Sequence, residues 1–261
     1  MSRPASWLVP PWADGRVGAL MSTREGGQSD GPFASMNLGT AGGDLPERVA
    51  ANRARFAVAC CAAPVFLRQV HGRRVVRIGA ADALPEAPPH EADASLTTER
   101  GVACTVQVAD CLPVLFAAPL GRGVAASHAG WRGLAAGVLE ATVAGLCEAA
   151  DCRPRDLDAW LGVCIGPRAF EVGEDVLEAF AVAPGGPSIR RFRPTEPGKW
   201  LADLPGLAQD RLATAGVMRV SAAAGCAFED ASRFFSYRRD RVTGRMAAAV
   251  WIAGGGGMPI G

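Results

Sequence analysis

Short apolar runs closed by Gly, Asp or Pro most constrain how this chain can fold. Such runs are typical of buried β-strands, and here they alternate with segments whose apolar residues recur at helical spacing. We predict strands over residues 17–21, 65–69, 75–78, 102–108, 112–117, 123–127 and 157–165, and helices over residues 134–149, 173–180 and 204–215. Because strands and helices interleave throughout, the fold class is α/β or α+β.

Local signals add detail at the ends of elements. Asp44 is predicted to cap a helix that runs to about Cys60, with Pro46 in its first turn and Glu47 at the capping-box position. Residues 234–237 and 246–252 are predicted to form a hairpin. Residues 184–197 form a turn-rich, basic surface stretch. Residues 23–43 form a long loop, and loops of that length are commonly functional.

Composition narrows the class of protein. The chain has 261 residues and a formal net charge of +1, and we expect a single domain over residues 1–261. With no basic stripe and no apolar run long enough to span a bilayer, neither nucleic acid nor a membrane is an expected partner. The N-terminus lacks the apolar core of a signal peptide, and the eight cysteines include no CxxC pair. We expect a reduced, cytoplasmic protein, and a monomer.

Two of the three histidines, and one cysteine, occupy glycine- or proline-punctuated motifs at predicted strand ends. The motifs are Gln69-Val70-His71-Gly72, Ala109-Asp110-Cys111-Leu112-Pro113 and Ser127-His128-Ala129-Gly130-Trp131-Arg132-Gly133. Two imidazoles and one thiolate suit zinc, with a fourth coordination position left open. Taken singly, each residue is more often a packed core residue. Their shared context favours His71, Cys111 and His128 as metal ligands, whereas His90 lies in a Pro-rich loop and is left out.

Two charged residues close to the proposed ligands in the sequence each allow two interpretations. Asp110 either orients a metal ligand or the bound water, or caps a turn. Arg132 opens a predicted helix directly after His128, where free N–H groups and the helix dipole favour an anion such as phosphate. An ordinary solvated arginine is the other interpretation of Arg132.

The chain resembles the YfiH-type laccase-domain family, also called polyphenol oxidase or purine nucleoside phosphorylase, over roughly residues 17–252. Besides the three motifs above, the resemblance rests on Thr23-Arg24-Glu25-Gly26-Gly27, Ser35-Met36-Asn37-Leu38-Gly39, Ile165-Gly166-Pro167 and Arg233-Phe234-Phe235-Ser236-Tyr237-Arg238-Arg239-Asp240. It implies a four-layer α/β/β/α sandwich with mixed sheets, similar to the cytotoxic necrotizing factor fold. It also implies a zinc site at His71, Cys111 and His128.

The resemblance implies an activity on purine nucleosides. Family members are described as phosphorolysing adenosine, inosine, guanosine or methylthioadenosine, and some deaminate adenosine. The partners would be a purine nucleoside and phosphate. Candidate catalytic groups are His71, Cys111, His128 and Asp110. Candidate substrate contacts are Asn37, Arg48, Arg53, Gln69 and Arg132.

The chain departs from the family pattern at two positions. Glu229 follows Cys226 where many relatives have the second Cys of a CxxC pair, and Arg168 stands where some relatives have Cys. Neither change touches the three proposed ligands. Any redox or accessory-metal role of those cysteines is in doubt in this chain.

Two other activities remain open. A laccase-type polyphenol oxidase, and copper as the metal, are less favoured, because multicopper sites require about ten histidines and this chain has three. In the alternative hypothesis Cys111 is a nucleophile with His71 or His128 as its base. That arrangement suits an amidase or a peptidoglycan-precursor editing hydrolase, since one bacterial branch of the family is linked to such editing.

Overall fold

The computed structural model describes residues 4–13, 15–180 and 187–254. The strands are β1 (Val17–Met21), β2 (Ala63–Phe66), β3 (Val75–Arg77), β4 (Ala94–Thr97), β5 (Val102–Val108), β6 (Leu112–Ala117), β7 (Val124–Ala129), β8 (Asp158–Leu161), β9 (Glu171–Val172), β10 (Phe192–Pro194), β11 (Trp200–Ala202), β12 (Arg219–Ala222) and β13 (Met246–Ile252). The helices are α1 (Pro46–Cys60), α2 (Trp131–Ala135), α3 (Val138–Ala150), α4 (Glu174–Ala179), α5 (Leu204–Thr214) and α6 (Tyr237–Asp240).

Two mixed sheets form the centre of the fold. One has four strands in the order β1-β13-β5-β2, and the other has six in the order β12-β8-β6-β7-β4-β3. Pairing is mostly antiparallel, with parallel pairs between β2 and β5, β3 and β4, and β8 and β12. A small third sheet joins β9, β10 and β11.

Three apolar clusters separate four layers. Helix α1 packs on the four-stranded sheet through Phe56. The two sheets meet face to face through side chains such as Val250 and Leu115. Helices α3 and α5 cover the other face of the six-stranded sheet, where Val143 packs near Phe116. The predicted α/β/β/α sandwich with mixed sheets is therefore confirmed.

The central strands carry continuous apolar runs because both of their faces are covered. Every residue of β6 and of β7 is buried, including the polar Ser127 and His128. Strands that are buried on both faces lose the usual alternation of apolar and polar residues. The predicted bounds of β1, β5 and β6 match the structure for this reason.

Several predicted elements differ in the structure. The hairpin over residues 234–237 and 246–252 is wrong: Ser236 caps α6, and β13 pairs with β1 and β5. The helix predicted over residues 134–149 is divided into α2 and α3 at Gly137, whose φ of 93° lies in the left-handed region. The strand predicted over residues 65–69 ends at Phe66.

The start of α1 also differs from the prediction. Leu45, and not Asp44, is the N-cap residue, and no side chain caps the helix. The Asp44 carboxylate instead accepts hydrogen bonds from the Ser29 hydroxyl and the Asn37 amide. Part of the predicted basic stretch, residues 184–186, lies outside the described residues. Within those residues no helix is long and apolar enough to cross a membrane.

The sheet-to-sheet interface should dominate stability. We expect Leu115→Ala to lower the free energy of unfolding by about 2–5 kcal/mol, because it leaves a cavity between the sheets. Leu120→Ala removes the same atoms from a side chain that is 73% exposed, and should change stability by less than about 0.5 kcal/mol. Denaturant titration measures both. Equal losses in the two variants would contradict this account of the core.

Candidate metal centre

Pairing between β6 and β7 brings two of the predicted ligands together. Pro113 pairs with His128, so that Cys111, directly before β6, lies beside the end of β7. His71 reaches the same point from the loop after β2, with a φ of 60°. The Cys111 Sγ to His71 Nε2 distance is 3.8 Å, and the two imidazole rings meet edge to face at 4.8 Å. All three donor atoms lie within 4.8 Å of one another.

Glycines in the third motif allow this close approach. A Cβ atom built on Gly130 would lie 2.9 Å from His71 Cδ2 and 3.0 Å from Cys111 Sγ. A Cβ on Gly133 would lie 2.7 Å from the Gly72 carbonyl oxygen. The backbone that opens α2 therefore packs directly against the donor side chains, and a side chain at Gly130 would displace them.

A buried carboxylate that the sequence analysis missed organises the centre. Asp93 is completely buried, and its carboxylate accepts backbone hydrogen bonds from Val70, His71 and Gly72 at 2.7–3.1 Å. Its Oδ1 also lies 2.8 Å from His128 Nδ1. An imidazole that donates Nδ1–H to a carboxylate presents Nε2 as a metal ligand. The available signal was an Asp directly before an apolar strand.

Asp110 does not orient either imidazole. Its Oδ2 accepts the backbone N–H of Arg238 at 2.6 Å, while Oδ1 is buried without a hydrogen-bond partner among the described residues. Burial raises the pKa of the Asp110 carboxyl. Of the two carboxylates near the ligands, Asp93 therefore orients an imidazole, the role that was one of the two interpretations of Asp110.

The protein's own charges favour a thiolate at Cys111. Burial raises the pKa of this thiol, but the charge of His128 and hydrogen bonds from His128 and His71 outweigh it, so that the net shift is downward. Burial lowers the pKa of His128, but Cys111 and Asp93 outweigh it and the net shift is upward. Thiolate is the form that ligates metals and attacks electrophiles. The charges around Cys111 therefore favour both metal ligation and nucleophilic attack by this residue.

The donor set fits a tetrahedral metal ion. Zinc bond lengths of about 2.3 Å to sulfur and 2.0–2.1 Å to nitrogen place S and N about 3.6 Å apart. The observed 3.8 Å between Cys111 Sγ and His71 Nε2 is close to that separation. Three protein donors leave one position of a tetrahedron open, as in catalytic rather than structural sites.

The centre lies in the wall of a cavity of about 1220 Å³. The predicted contacts Asn37, Arg53, Gln69 and Arg132 line it. Arg48 lies outside the cavity, in an ion pair with Asp30 at 2.6 Å. The structure thus brings four of the five predicted substrate contacts to the cavity that holds the ligands.

Two of those four side chains are occupied by protein contacts. The Asn37 amide is buried and bonds to Gly39, Asp44 and the backbone N–H of Arg245. The Gln69 amide makes reciprocal hydrogen bonds with the backbone of Gln107. Both residues thus help to build the cavity wall.

Two cavity residues were missed by the sequence analysis. Tyr237, the single tyrosine, is 49% exposed, and Arg245 lies 5.7 Å from its ring. Both line the cavity. Both lie within residues 234–252, which the sequence pattern assigned to a hairpin, so only the family motif around Tyr237 marked this region.

Comparison with known proteins identifies the family. A family described as "Multi-copper polyphenol oxidoreductase laccase" matches residues 18–253. The chain belongs to this family. A Pseudomonas aeruginosa protein named purine nucleoside phosphorylase is 46% identical over 95% of this chain and 98% of its own length. The Escherichia coli purine nucleoside phosphorylase YfiH is 45% identical, over 94% and 98% of the two chains.

Solved structures of the family share the fold. A Neisseria meningitidis protein superposes with a TM-score of 0.88 at 43% identity, covering 95% of this chain and 100% of its own. YlmD from Geobacillus stearothermophilus also has a TM-score of 0.88, at 32% identity, covering 97% and 98%. The four-layer arrangement is therefore the fold of the family.

The histidine count disagrees with the copper content in the family's description. His90, the third histidine, is 2.7 Å from Asp82 and apart from the other two. Within the described residues, the one group of candidate ligands that includes histidine is His71, Cys111 and His128. The described structure thus brings two of the chain's three histidines together in one group of candidate ligands.

The two departures from the family pattern contact each other. Arg168 donates two hydrogen bonds to the Glu229 carboxylate, at 3.0 Å and 2.6 Å. Nearby, the Cys226 sulfur accepts the backbone N–H of Gly166 at 3.1 Å. An exposed ion pair thus joins the segments that contain Arg168 and Glu229.

The lowered pKa of Cys111 predicts unusual thiol reactivity in metal-free protein. An ordinary thiol loses reactivity as the pH falls below about 8.5, whereas Cys111 should stay alkylatable by iodoacetamide to lower pH. Asp93→Asn should shift the pH dependence of Cys111 alkylation toward that of an ordinary thiol, since the His128 imidazolium loses its carboxylate partner. Peptide mass spectrometry separates Cys111 from the exposed Cys61. An inflection near 8.5 in wild type would contradict the assigned charge state.

Proposed function

We propose that the protein is a zinc-dependent purine nucleoside phosphorylase. The observation that carries the proposal is the set of three donors, His71, Cys111 and His128, in the wall of a large cavity with one coordination position left free. The names of the relatives support the reaction class. Mixed nitrogen and sulfur donors support zinc over copper, given the histidine count.

The proposed reaction transfers a pentose from purine to phosphate. A phosphate oxygen bonds to the anomeric carbon, the carbon–nitrogen bond to the purine breaks, and the released purine takes up a proton. Bound zinc would supply a Lewis acid, or a bound water of lowered pKa. Asp93 holds His128 in position, and Asp110 is the candidate catalytic carboxylate, with a buried Oδ1 that has no hydrogen-bond partner among the residues that the structure describes.

The proposed substrates are adenosine, inosine, guanosine and methylthioadenosine. The cavity volume of about 1220 Å³ is ample for a nucleoside together with phosphate. Adenosine deamination at the same centre would use water in place of phosphate. Because the HxE and PCxxC motifs of zinc deaminases are absent from the sequence, it would need a different arrangement. We further propose that the enzyme acts as a cytoplasmic monomer.

A second function is favoured by one observation. In space, Cys111 contacts His128 and His128 contacts Asp93, an arrangement of nucleophile, base and orienting carboxylate as in thiol hydrolases. In such an amidase or editing hydrolase, the thiolate would attack a carbonyl carbon and His128 would protonate the leaving amine. Water would then release the acid. This chemistry needs no metal, which separates it from phosphorolysis.

One experiment tests the proposed function. Zinc-loaded protein is incubated with adenosine, inosine or methylthioadenosine, with and without phosphate, and products are separated by chromatography. We expect free base and pentose 1-phosphate only with phosphate. Chelation should abolish turnover and zinc should restore it, and His71→Ala should reduce turnover at least about 100-fold, since a ligand is lost.

Other outcomes count against phosphorolysis. Failure of all three nucleosides to release base in the presence of phosphate would refute it. Inosine formed from adenosine without free base would indicate deamination. A metal-free protein that hydrolyses amides, and is inactivated by iodoacetamide, would favour the thiol hydrolase. Circular dichroism of His71→Ala controls for folding.

A further inference from the structure

Four arginines that line the cavity have guanidinium groups without an ion pair among the described residues: Arg53, Arg132, Arg238 and Arg245. Of these, Arg53 and Arg245 are the two whose pKa is lowered by burial. Arg53 on α1 and Arg245, directly before β13, both line the cavity and are both partly buried. Neither forms an ion pair with any described residue. The contrast is with Arg48 and Arg68, which pair with Asp30 and Glu91. Buried charges are normally paired, so two unpaired guanidinium groups on one cavity indicate an anionic ligand.

Both side chains are held through the same short loop. Arg53 Nε donates to the Leu38 carbonyl at 3.0 Å, and the Leu38 N–H donates to the Arg245 carbonyl at 3.0 Å. The Arg245 side chain packs on Gly39, where a Cβ would lie 2.7 Å from its Cγ. Both arginines therefore contact the same short loop at the wall of the cavity, Arg53 at Leu38 and Arg245 at Leu38 and Gly39.

Much of their donor capacity is unused. A guanidinium has five N–H bonds. Arg53 donates to Leu38 through Nε and packs over the Phe66 ring at 3.9 Å, while Arg245 Nη1 donates to the Thr243 and Gly244 carbonyls. Their remaining N–H bonds have no acceptor in the described part of the chain. Guanidinium groups with free N–H bonds can donate paired hydrogen bonds to the oxygens of a phosphate group.

The electrostatics of the cavity agree with this assignment. Burial lowers the pKa of Arg53 to about 10. Burial also lowers the pKa of Arg245, against the opposing charges of Cys111 and Asp110. Arg53 and Arg245 line the same cavity as His71, Cys111 and His128. An oxyanion bound at the arginines would therefore lie beside the ligands.

We infer that Arg53 and Arg245 form an oxyanion site that binds a phosphate group next to the metal centre. The phosphate group comes either from inorganic phosphate, as a co-substrate, or from a phosphate ester on a nucleoside. Its identity as the co-substrate of phosphorolysis rests on the proposed function. The site itself rests only on the two arginines and their surroundings.

Binding of inorganic phosphate and of adenosine 5′-monophosphate by isothermal titration calorimetry tests the site. We expect Arg53→Met and Arg245→Met to weaken phosphate binding about 10- to 100-fold, the loss expected for charge-assisted hydrogen bonds. Arg55→Met is the matched control, because Arg55 lies on the same helix but outside this cavity, with its guanidinium on the Gly26 carbonyl. Thermal unfolding without phosphate checks folding, and Arg53→Lys and Arg245→Lys should retain part of the affinity.

Each outcome decides the inference. Arginine-dependent binding of inorganic phosphate supports the site as a co-substrate site. Arginine-dependent binding of the monophosphate alone supports the site but assigns it to a phosphorylated substrate. Absence of binding of both ligands to folded wild type, or equal affinity in wild type and both methionine variants, would overturn it. Because calorimetry needs no turnover, phosphate binding without base release would leave the site standing and refute only phosphorolysis.

Discussion

The Asp93 carboxylate is the contact on which the rest of the centre depends. It accepts three backbone N–H groups from residues 70–72, which fixes the loop that presents His71. The same group bonds His128 Nδ1 and so orients the second imidazole. The backbone carbonyl of Asp93 also accepts the His128 N–H at 2.7 Å. Asp93, a single buried residue directly before β4, therefore positions both histidines relative to Cys111, directly before β6.

The four-layer fold explains why such a polar centre can be rigid. Strands β6 and β7 are buried on both faces, so their ends have little freedom, and Gly130 brings the start of α2 against the donor atoms. The loop around Leu38 holds Arg53 and Arg245 on the same cavity. The candidate metal ligands and the proposed oxyanion site thus share one cavity. This pairing suits a reaction in which an anion attacks a substrate held at a metal.

Sequence patterns predicted the features that neighbouring residues determine and missed the contacts between residues far apart in the chain. The continuous apolar runs of β5 and β6 gave correct bounds, and the motifs marked His71, Cys111 and His128 because each lies beside glycine or proline at a strand end. Asp93 escaped notice because its partners are more than twenty residues away. The region of Arg245 was assigned to a hairpin, since the capping of α6 by Ser236 overrides the strand propensity of its aromatic neighbours. Tertiary contacts decided both cases.

X-ray absorption spectroscopy of the zinc-loaded protein identifies the donor atoms around the metal. We predict one sulfur at about 2.3 Å, two imidazole nitrogens at about 2.0–2.1 Å and one further light donor from solvent or substrate. In Cys111→Ser the sulfur shell should disappear. A spectrum without sulfur, a shell with more than one sulfur, or a sulfur shell that persists in Cys111→Ser would contradict a centre built from His71, Cys111 and His128.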